Sequence, residues 1–317
     1  MKITVLDGYT LNPGDLDWSA MAAFGDLTVY DRTPADKTVE RAIGSEIVIT
    51  NKTVLDADAI SRLPELKYIG VLATGYNIVD VDAAASRGIV VTNIPSYSTM
   101  SVAQMAISLL LAIVQRVEHY AYENRKGRWS RSEDFCYTDF PLMELAGKRF
   151  GVVGFGHTGQ ATAKVASALG MKVGVFSSKP QTELPAGYEK MDMDTLFKES
   201  DVVSLHCPLT DTTRHLVDSR RIETMKPSAI LINTGRGPLI DEQAVADALR
   251  EGKIYAAGMD VLGTEPPAAD NPLLTAPRCF ITPHIAWATK EARVRLMDIA
   301  VGNVAAFLSG KPQNVVG

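Results

Sequence analysis

The sequence predicts an α/β protein built from two doubly wound parallel-sheet domains. Three observations support this prediction. The chain has 317 residues, of which 46% are apolar, and this is enough for two domains with separate cores. Short β-rich runs alternate with helical patterns, which is typical of parallel strands joined by crossover helices. The alternation occurs twice, in the first hundred residues and again from about Arg149.

The first series contains β-rich runs separated by helical stretches such as DADAISRL and DVDAAASR. These runs are KITVLD, LTVYD, EIVIT, LKYIGVL and GIVVTN. A long helix is predicted next, from about Ser101 to Arg125, as the connection to the second series. Its apolar part, SVAQMAISLLLAIVQRV, is interrupted by Ser, Gln and Arg. We therefore predict a buried helix here and no membrane span.

The second series has the same alternation. Its β-rich runs are RFGVVGF, KVGVF, DVVSLHCP, AILINTG, YAAGMDV and CFITPH. The segment DEQAVADALREG predicts a helix that Asp241 caps and Gly252 ends. The last helical segment, KEARVRLMDIAVGNVAAFLSG, follows the final strand, and its periodicity does not indicate the domain on which it packs. Before the series, EHYAYENRKGRWSRSEDFCYTDFPLMEL suits either an arm that packs on a partner subunit or a surface loop.

Charge and cysteine content limit the partners. The formal net charge is −5 and no stretch accumulates Lys and Arg, so we expect no nucleic-acid partner. The cysteines, Cys136, Cys207 and Cys279, are far apart and lack metal-type spacing, which indicates a reduced, cytoplasmic setting and no metal site. The N-terminus starts with strand-like alternation and no signal-peptide core. We expect a small-molecule partner and no membrane partner.

A glycine-rich loop opens the second series. Gly154, Gly156 and Gly159 follow a predicted strand that ends at Val153, and a helical pattern, HTGQATAKVASALG, comes next. This context is that of a dinucleotide-binding motif. The first glycine permits a tight turn, the second lets the backbone approach a pyrophosphate, and the third lets the helix pack close to the strand. The helix N-terminus offers N–H groups to the pyrophosphate.

The residues after the next strand bear on the choice between NAD and NADP. An acidic residue there would bind the 2′-hydroxyl of NAD, but this chain has Ser177, Ser178 and Lys179. Hydroxyl and ammonium donors suit a 2′-phosphate, so we expect NAD or NADP with a slight preference for NADP. The alternative is that these are solvated loop residues beside an NAD that lacks one ribose contact.

A hydride carrier needs a partner that exchanges a proton with the substrate oxygen, and histidine is the usual choice. His284 lies in CFITPHIAW, just after the last strand, where ligand crevices of doubly wound sheets open. The other histidines are interpreted as structural or solvated; they are His119, His157, His206 and His215.

Two further strand ends carry charged residues. Arg236 lies in the turn TGRG, and its planar guanidinium suits a carboxylate with an adjacent oxygen. Glu265 lies in MDVLGTEPP; near His284 it would favour the protonated imidazole and hold one ring orientation. The alternatives are a surface arginine in a turn and an ordinary loop acid.

These motifs, in this order, resemble the D-2-hydroxyacid dehydrogenase family over nearly the whole chain. The matching segments are LATGYNIVDVDAA, SVAQMAISLLLA, LAGKRFGVVGFGHTGQ, LHCPLTDTTRHLV, LINTGRGPLIDEQAVADAL, GMDVLGTEPP and TPHIAW. The resemblance implies that Arg236, Glu265 and His284 are the catalytic residues. A formate dehydrogenase would be expected to have Gln in place of Glu265, whereas this chain has Glu.

The resemblance also implies a domain organisation. A Rossmann NAD(P)-binding domain, residues 99–287, would be inserted into a flavodoxin-like substrate domain made of residues 1–98 and a C-terminal helix in residues 288–317. An arm at about residues 118–146 would mediate a homodimer. The active site would lie in the interdomain cleft.

Further contacts follow from the resemblance. Backbone N–H groups of the LATGYN loop, at Ala73, Thr74 and Gly75, would bind the substrate carboxylate opposite Arg236. Besides the glycines and the Ser177–Lys179 residues, the implied cofactor contacts are His157, Thr158, Cys207, Pro208, Thr213, Thr234, Arg236, Asp260 and His284.

The segments TGYNIVD and PSYSTMSVAQ are most similar to the glycerate dehydrogenase and hydroxypyruvate reductase branch. The first expected substrate pair is therefore D-glycerate and hydroxypyruvate. In reduction, His284 would give its proton to the carbonyl oxygen, and Glu265 would keep His284 protonated to higher pH. One alternative is a D-lactate-type or broad 2-oxo acid reductase. Another is an NAD(H)-sensing transcriptional corepressor-like protein, which can retain the catalytic residues.

Overall fold

The structure is a computed structural model that describes all residues, 1–317. The chain folds into two compact units. Unit 1 consists of Met1–Ser98 together with Ala288–Gly317, and unit 2 is Thr99–Trp287.

Strands and helices alternate through both units. The strands are β1 (Lys2–Val5), β2 (Asp26–Val29), β3 (Ile47–Thr50), β4 (Tyr68–Val71), β5 (Val90–Thr92), β6 (Arg149–Val153), β7 (Lys172–Phe176), β8 (Glu189–Lys190), β9 (Val202–Leu205), β10 (Ile230–Asn233), β11 (Ala256–Met259) and β12 (Cys279–Ile281). The helices are α1 (Ser19–Ala22), α2 (Thr38–Ala42), α3 (Ala57–Ser61), α4 (Val81–Ser86), α5 (Thr99–Gln115), α6 (Val117–Arg125), α7 (His157–Ala168), α8 (Met193–Glu199), α9 (Ser219–Ile222), α10 (Glu242–Glu251) and α11 (Lys290–Leu308).

Unit 1 is built on a parallel five-stranded sheet with the order β2-β1-β3-β4-β5. This is the strand order of flavodoxin-like doubly wound folds. The C-terminal helix α11 belongs to this unit, where the Phe307 ring lies 4.8 Å from the Tyr68 ring. Asn303 of the same helix donates from Nδ2 to the Asn93 carbonyl at 3.0 Å. Tertiary contacts thus show that the last helix packs on unit 1, which its periodicity alone did not indicate.

Unit 2 is built on a parallel seven-stranded sheet with the order β12-β11-β10-β9-β6-β7-β8. Counted from β6, six neighbouring strands follow the order 3-2-1-4-5-6 of the dinucleotide-binding fold, and β12 adds a seventh at one edge. The predicted α/β class with two doubly wound sheets is confirmed. The strand order reverses between β6 and β9, and ligand crevices open beside such a switch point.

Helix α10 shows how the sequence sets local boundaries in unit 2. The Asp241 side chain accepts a hydrogen bond from the Ala244 N–H at 3.0 Å and caps the first turn. Gly252 ends the helix in the left-handed region, with φ 70°. Both boundaries are those that the sequence predicts.

The predicted single helix from about Ser101 to Arg125 is wrong, because the chain breaks at Arg116. That residue has φ 53°, in the left-handed region, and separates α5 from α6. Its guanidinium lies over the Phe140 ring at 4.1 Å and the Phe280 ring at 5.0 Å from their centroids. Two cation–π contacts offset the cost of the backbone conformation, and periodicity gives no sign of either contact.

None of the helices is by itself long and apolar enough to cross a membrane. Helices α5 and α6 satisfy the length and composition criteria only when taken together, across a bend of 58°. In the structure α5 buries Ala106, Leu110 and Ile113 in the core of unit 2.

Candidate active site

A histidine and a glutamate form a close pair at one end of the unit 2 sheet. His284 Nδ1 lies 2.5 Å from Glu265 Oε2, and the two side chains are 31% and 35% exposed. Glu265 Oε1 accepts a hydrogen bond from the Leu262 N–H at 3.0 Å, which fixes the carboxylate. The bond at Nδ1 leaves Nε2 as the ring nitrogen that can exchange a proton with a substrate.

Arg236 lies in the turn that follows β10, and its side chain is exposed. Guanidinium Nη1 donates to the Gly235 carbonyl at 2.9 Å, and the guanidinium has further donors that this turn bond does not use. Gly237 packs directly against the Leu262 backbone; a Cβ at this position would collide with the Leu262 carbonyl. The turn that contains Arg236 therefore packs against the loop that contains Glu265.

The three candidate catalytic residues share one edge of the sheet. Strands β10, β11 and β12 are parallel neighbours, with Asn233 opposite Met259 and Met259 opposite Ile281. Arg236, Glu265 and His284 follow these three strand ends in turn. Because the carboxyl ends of parallel strands lie on one side of the sheet, a cation, a carboxylate and an imidazole are gathered there.

Asp260, an expected cofactor contact, supports the His284 turn. Its carboxylate accepts hydrogen bonds from Thr282 Oγ1 at 2.6 Å, from the Ile285 N–H at 2.9 Å and from the Ala286 N–H at 2.9 Å. The Asp260 carbonyl accepts from the His284 N–H at 2.8 Å. Burial raises the pKa of Asp260, and these hydrogen bonds act in the opposite direction.

The glycine loop has the geometry that a dinucleotide needs. Gly154 has φ 93°, in the region that favours glycine. A Cβ on it would lie 2.5 Å from the Cys207 N atom, so no other residue fits beside the loop that follows β9. Gly156 is the N-cap of α7 and no side chain caps it. Nothing lies within 4 Å of the position that a Cβ would take on Gly156. The N-terminus of α7, with His157 and Thr158 in its first turn, is open to a pyrophosphate.

The other expected cofactor residues lie on the loops next to this switch point. Cys207 and Pro208 directly follow β9, and burial raises the pKa of the Cys207 thiol, so it stays protonated. Thr213 closes this loop, since its hydroxyl donates to the Pro208 carbonyl at 2.8 Å. Thr234 follows β10 and is 7% exposed, yet its hydroxyl has no hydrogen-bond partner in the protein. A buried hydroxyl without a partner is costly, and a cofactor atom would fit as that partner.

The residues after β7 are arranged as a turn. Ser177 is half-buried, and its Oγ accepts a hydrogen bond from the Lys179 N–H at 3.2 Å. Ser178 is exposed, as expected of a residue in a turn. No carboxylate is present among these three residues, and the hydroxyl and ammonium groups are donors.

The remaining histidines have other environments. His206 follows β9, its Nε2 lies 2.8 Å from Ser204 Oγ, and burial lowers its pKa to about 4. It is therefore neutral near pH 7 and unsuited to give a proton. His119 pairs with Asp139 at 2.7 Å in the arm segment, and His157 and His215 are exposed.

The expected substrate loop of unit 1 follows β4. Thr74 Oγ1 donates to the Ile94 carbonyl at 2.8 Å, and Asn93 Nδ2 donates to the Thr74 carbonyl at 2.8 Å. The Ala73 carbonyl accepts from the Ile94 N–H at 3.0 Å. These bonds hold the loop through its carbonyls and a side chain, so the N–H groups of Ala73, Thr74 and Gly75 are not used by them.

Supporting residues were missed by sequence reasoning. Glu242, at the start of α10, accepts from the Gly263 N–H at 2.7 Å and from Asn271 Nδ2 at 2.9 Å, and so anchors the loop of Glu265. Asn233, at the end of β10, bonds to the Arg236 turn. An Asn at a strand end before a Gly-containing turn is a known turn signal, and it would have identified Asn233.

Comparison with known proteins decides the family. Residues 107–286, more than half of the chain, match the family model described as "D-isomer specific 2-hydroxyacid dehydrogenase, NAD binding domain". A hydroxypyruvate reductase of Blautia hydrogenotrophica is 49% identical over 320 aligned residues, which cover 100% of this chain and 99% of that relative. The chain belongs to the D-2-hydroxyacid dehydrogenase family. It is an oxidoreductase that acts on a CH–OH group and uses a nicotinamide dinucleotide, NAD(P).

Two further comparisons agree with this membership. A glycerate dehydrogenase of Methylorubrum extorquens is 44% identical over 283 residues, which cover 89% of this D-2-hydroxyacid dehydrogenase and 88% of the relative. The solved structure of an acyclic imino acid reductase, in complex with NADPH and D-Arg, superposes with a TM-score of 0.85 at 32% identity and covers 100% of both chains. The expected resemblance to the glycerate dehydrogenase and hydroxypyruvate reductase branch is confirmed.

Proposed function

We propose that this D-2-hydroxyacid dehydrogenase interconverts hydroxypyruvate and D-glycerate. The observation that carries the proposal is the His284–Glu265 pair, at 2.5 Å, on the same sheet edge as Arg236. The named activities of the 49% and 44% identical relatives support the choice of substrate. The D-lactate-type reductase and corepressor-like alternatives have no comparable support.

The catalytic roles follow from the chemistry of the side chains. When bound, the nicotinamide supplies a hydride for C2 of the 2-oxo acid or accepts one in the reverse direction. The guanidinium of Arg236 binds the substrate carboxylate and stabilises the charge that develops on the C2 oxygen. Protonated His284 gives the Nε2 proton to that oxygen, and Glu265 stabilises the imidazolium through Nδ1. The substrate contacts of the Ala73, Thr74 and Gly75 N–H groups stay a prediction from the family resemblance.

The substrate assignment is tested by initial rates with NADPH and NADH. Hydroxypyruvate has a hydroxyl group on C3, pyruvate has a methyl group there, and glyoxylate has no C3. Because the relatives are named for hydroxypyruvate and glycerate, kcat/KM should be highest with hydroxypyruvate. No oxidation of either cofactor with any of the three acids would contradict the proposal. A clear preference for pyruvate would instead indicate a D-lactate-type reductase.

Replacing Glu265 with Gln should shift the pH dependence of reduction. Without the carboxylate the imidazolium is less stable, so the pH above which kcat/KM falls should decrease. Oxidation needs neutral His284, so the pH below which kcat/KM for oxidation falls should also decrease. Both limits are read from kcat/KM measured from about pH 5 to about pH 10.

The matched control is Glu251→Gln, since Glu251 pairs with Lys253 at 3.0 Å on the surface of unit 2. This control removes the same charge and should leave the profile unchanged. Identical profiles for the wild type and Glu265→Gln would exclude the proposed role of the pair.

We propose a slight preference for NADP over NAD. The donors at Ser177, Ser178 and Lys179, with no carboxylate beside them, support it, and so does the NADPH in the imino acid reductase structure. Placing Asp at Ser177 should raise KM for NADPH about tenfold or more, because like charges a few ångströms apart repel by about 1 to 4 kcal/mol. KM for NADH should change less.

The control for this substitution is Ser177→Asn, which adds a similar volume without charge. It should affect the two cofactors alike. If Ser177→Asp also raised both KM values equally, Ser177 would not face the ribose.

We propose that the arm at residues 118–146 mediates a homodimer. The segment has its own hydrogen-bonded framework, in which Arg128 binds both oxygens of Asp139 at 2.5 Å. It nevertheless exposes large apolar side chains, including Phe135 at 90% and Trp129 at 55%. Exposed aromatic clusters of this kind mark protein interfaces. Sedimentation equilibrium should give twice the chain mass of 34.3 kDa; a stable monomer would contradict the proposal.

We propose the cytoplasm as the compartment. The three cysteines are free thiols, and burial raises the pKa of Cys279 to about 12, which makes it unreactive. Cell fractionation that recovered the protein outside the cytoplasm would contradict this.

A further inference from the structure

Asn233 is the last residue of β10 and precedes Arg236 by three residues. It is completely buried. Its side-chain Nδ2 donates to the Arg236 carbonyl at 2.9 Å, and its Oδ1 accepts from the Gly235 N–H at 3.0 Å. We infer that Asn233 is a positioning residue, which holds the Arg236 guanidinium in the orientation that binds the substrate carboxylate. The inference rests on the proposed role of Arg236.

The chemistry of this turn calls for an amide. The turn follows a buried strand directly and offers the side chain both an N–H, at Gly235, and a carbonyl, at Arg236. A carboxamide supplies an acceptor and a donor in one plane, so it can satisfy both groups at once. An aspartate would lack the donor, and an apolar residue would lack both. The Gly235 N–H would then lose its partner, and the Arg236 carbonyl would keep only the Leu239 N–H at 3.2 Å.

The other contacts of this turn come from residues after the arginine. The Leu239 N–H donates to the Arg236 carbonyl at 3.2 Å, and Gly237 packs against the Leu262 backbone. Arg236 has an extended backbone, with φ −139° and ψ 135°, and its side chain is exposed. The hydrogen bond of its guanidinium goes to Gly235, a residue of the same turn. The direction of the guanidinium therefore depends on the conformation of the Gly235–Arg236 peptides, which the Asn233 amide sets.

The main chain of Asn233 serves a separate purpose. Its carbonyl accepts from the Asp260 N–H at 2.9 Å, and the Asp260 carbonyl in turn accepts from the His284 N–H at 2.8 Å. A side-chain substitution at Asn233 leaves these main-chain bonds in place. It should therefore disturb Arg236 while the His284–Glu265 pair keeps its geometry, and this separates positioning of the arginine from a general loss of structure.

The test begins with Asn233→Ala. Loss of the two bonds should raise KM for hydroxypyruvate about tenfold, with a smaller change in kcat, because substrate binding by Arg236 weakens. The pH limits of kcat/KM should remain those of the wild type, because the His284–Glu265 pair is unchanged. Asn233→Ser can keep one bond and should give an intermediate KM; it also serves if the alanine variant does not fold. An unchanged KM in a folded variant would overturn the inference.

Gln181→Ala is the matched control. The Gln181 amide likewise donates to a carbonyl, that of Tyr188 at 2.8 Å, and accepts from an N–H, that of Lys190 at 2.6 Å. Its removal deletes the same two kinds of hydrogen bond elsewhere in unit 2. KM for hydroxypyruvate should be unchanged in this variant, and an equal rise would mean that the effect at Asn233 is not specific.

A double-mutant cycle with Arg236→Met shows whether Asn233 acts through the arginine. In the Arg236→Met background, Asn233→Ala should have no further effect on KM. An equal effect in both backgrounds would overturn the inference and leave the role of Arg236 intact. If Arg236→Met alone retained full activity, the proposed function of Arg236 would fail, and the positioning role would fail with it.

Discussion

Replacing His284 with Gln should lower kcat for hydroxypyruvate reduction by about 10²- to 10⁴-fold, the range that general acid catalysis contributes. Glutamine cannot give a proton to the C2 oxygen, although its amide can still form a hydrogen bond with Glu265. Cofactor binding should persist, because the glycine loop at the N-terminus of α7 is unchanged. Stopped-flow single-turnover reduction, with NADPH binding followed by fluorescence, separates the two effects.

The control for this substitution is His215→Gln, which changes an exposed histidine of unit 2 and should leave kcat unchanged. If His284→Gln retained wild-type kcat, another group would have to supply the proton. His206 would be a poor alternative, because burial lowers its pKa to about 4.

The second large effect is expected from Arg236→Met. A hydrogen bond to a charged group contributes about 1.5–3 kcal/mol, so loss of two such bonds to the substrate should lower kcat/KM by about 10²- to 10⁴-fold. KM should rise and kcat should fall, because the guanidinium is proposed both to bind the carboxylate and to stabilise the charge that develops on the C2 oxygen. Steady-state kinetics with hydroxypyruvate measures both constants.

Arg236→Lys restores the charge without the planar fork and should recover only part of the activity. Arg220→Met, on the surface at α9, is the matched control and should behave as the wild type. Full activity of Arg236→Met would remove the arginine from the proposed site.

Most of the fold could be predicted because its strands are strongly apolar. Every β-rich run of the two series became a strand, and the central strands β9 and β10 are buried throughout. Strand β8 was not predicted, because it consists of two exposed charged residues, Glu189 and Lys190. Its place at the sheet edge depends on pairing with β7, and pairing leaves no periodic pattern in so short a strand.

The break between α5 and α6 illustrates a second limit. The apolar pattern runs through Arg116, so the sequence favours one helix. The left-handed conformation at this residue is compensated by contacts with Phe140 and Phe280, which are distant in the chain. Tertiary contacts of this kind override local propensity and cannot be seen in it.

For the site, the residues proposed to perform chemistry were easier to predict than those that support them. His284, Glu265 and Arg236 follow strand ends, where ligand crevices open, and the structure brings His284 and Glu265 into contact. Asp260 was expected to contact the cofactor, and its carboxylate also holds the turn of His284, which the sequence did not indicate. Glu242 was missed, because its supporting role is identified by its hydrogen-bond partners and not by its residue type. Asn233 was missed although Asn before a Gly-containing turn is a turn signal.

The most direct test of the proposed activity is the product of hydroxypyruvate reduction, resolved by chiral chromatography. We expect D-glycerate, formed at the expense of stoichiometric NADPH or NADH by the wild-type protein and at a strongly reduced rate by His284→Gln. Formation of L-glycerate, or D-glycerate formed equally fast by the two proteins, would contradict the roles proposed for this site.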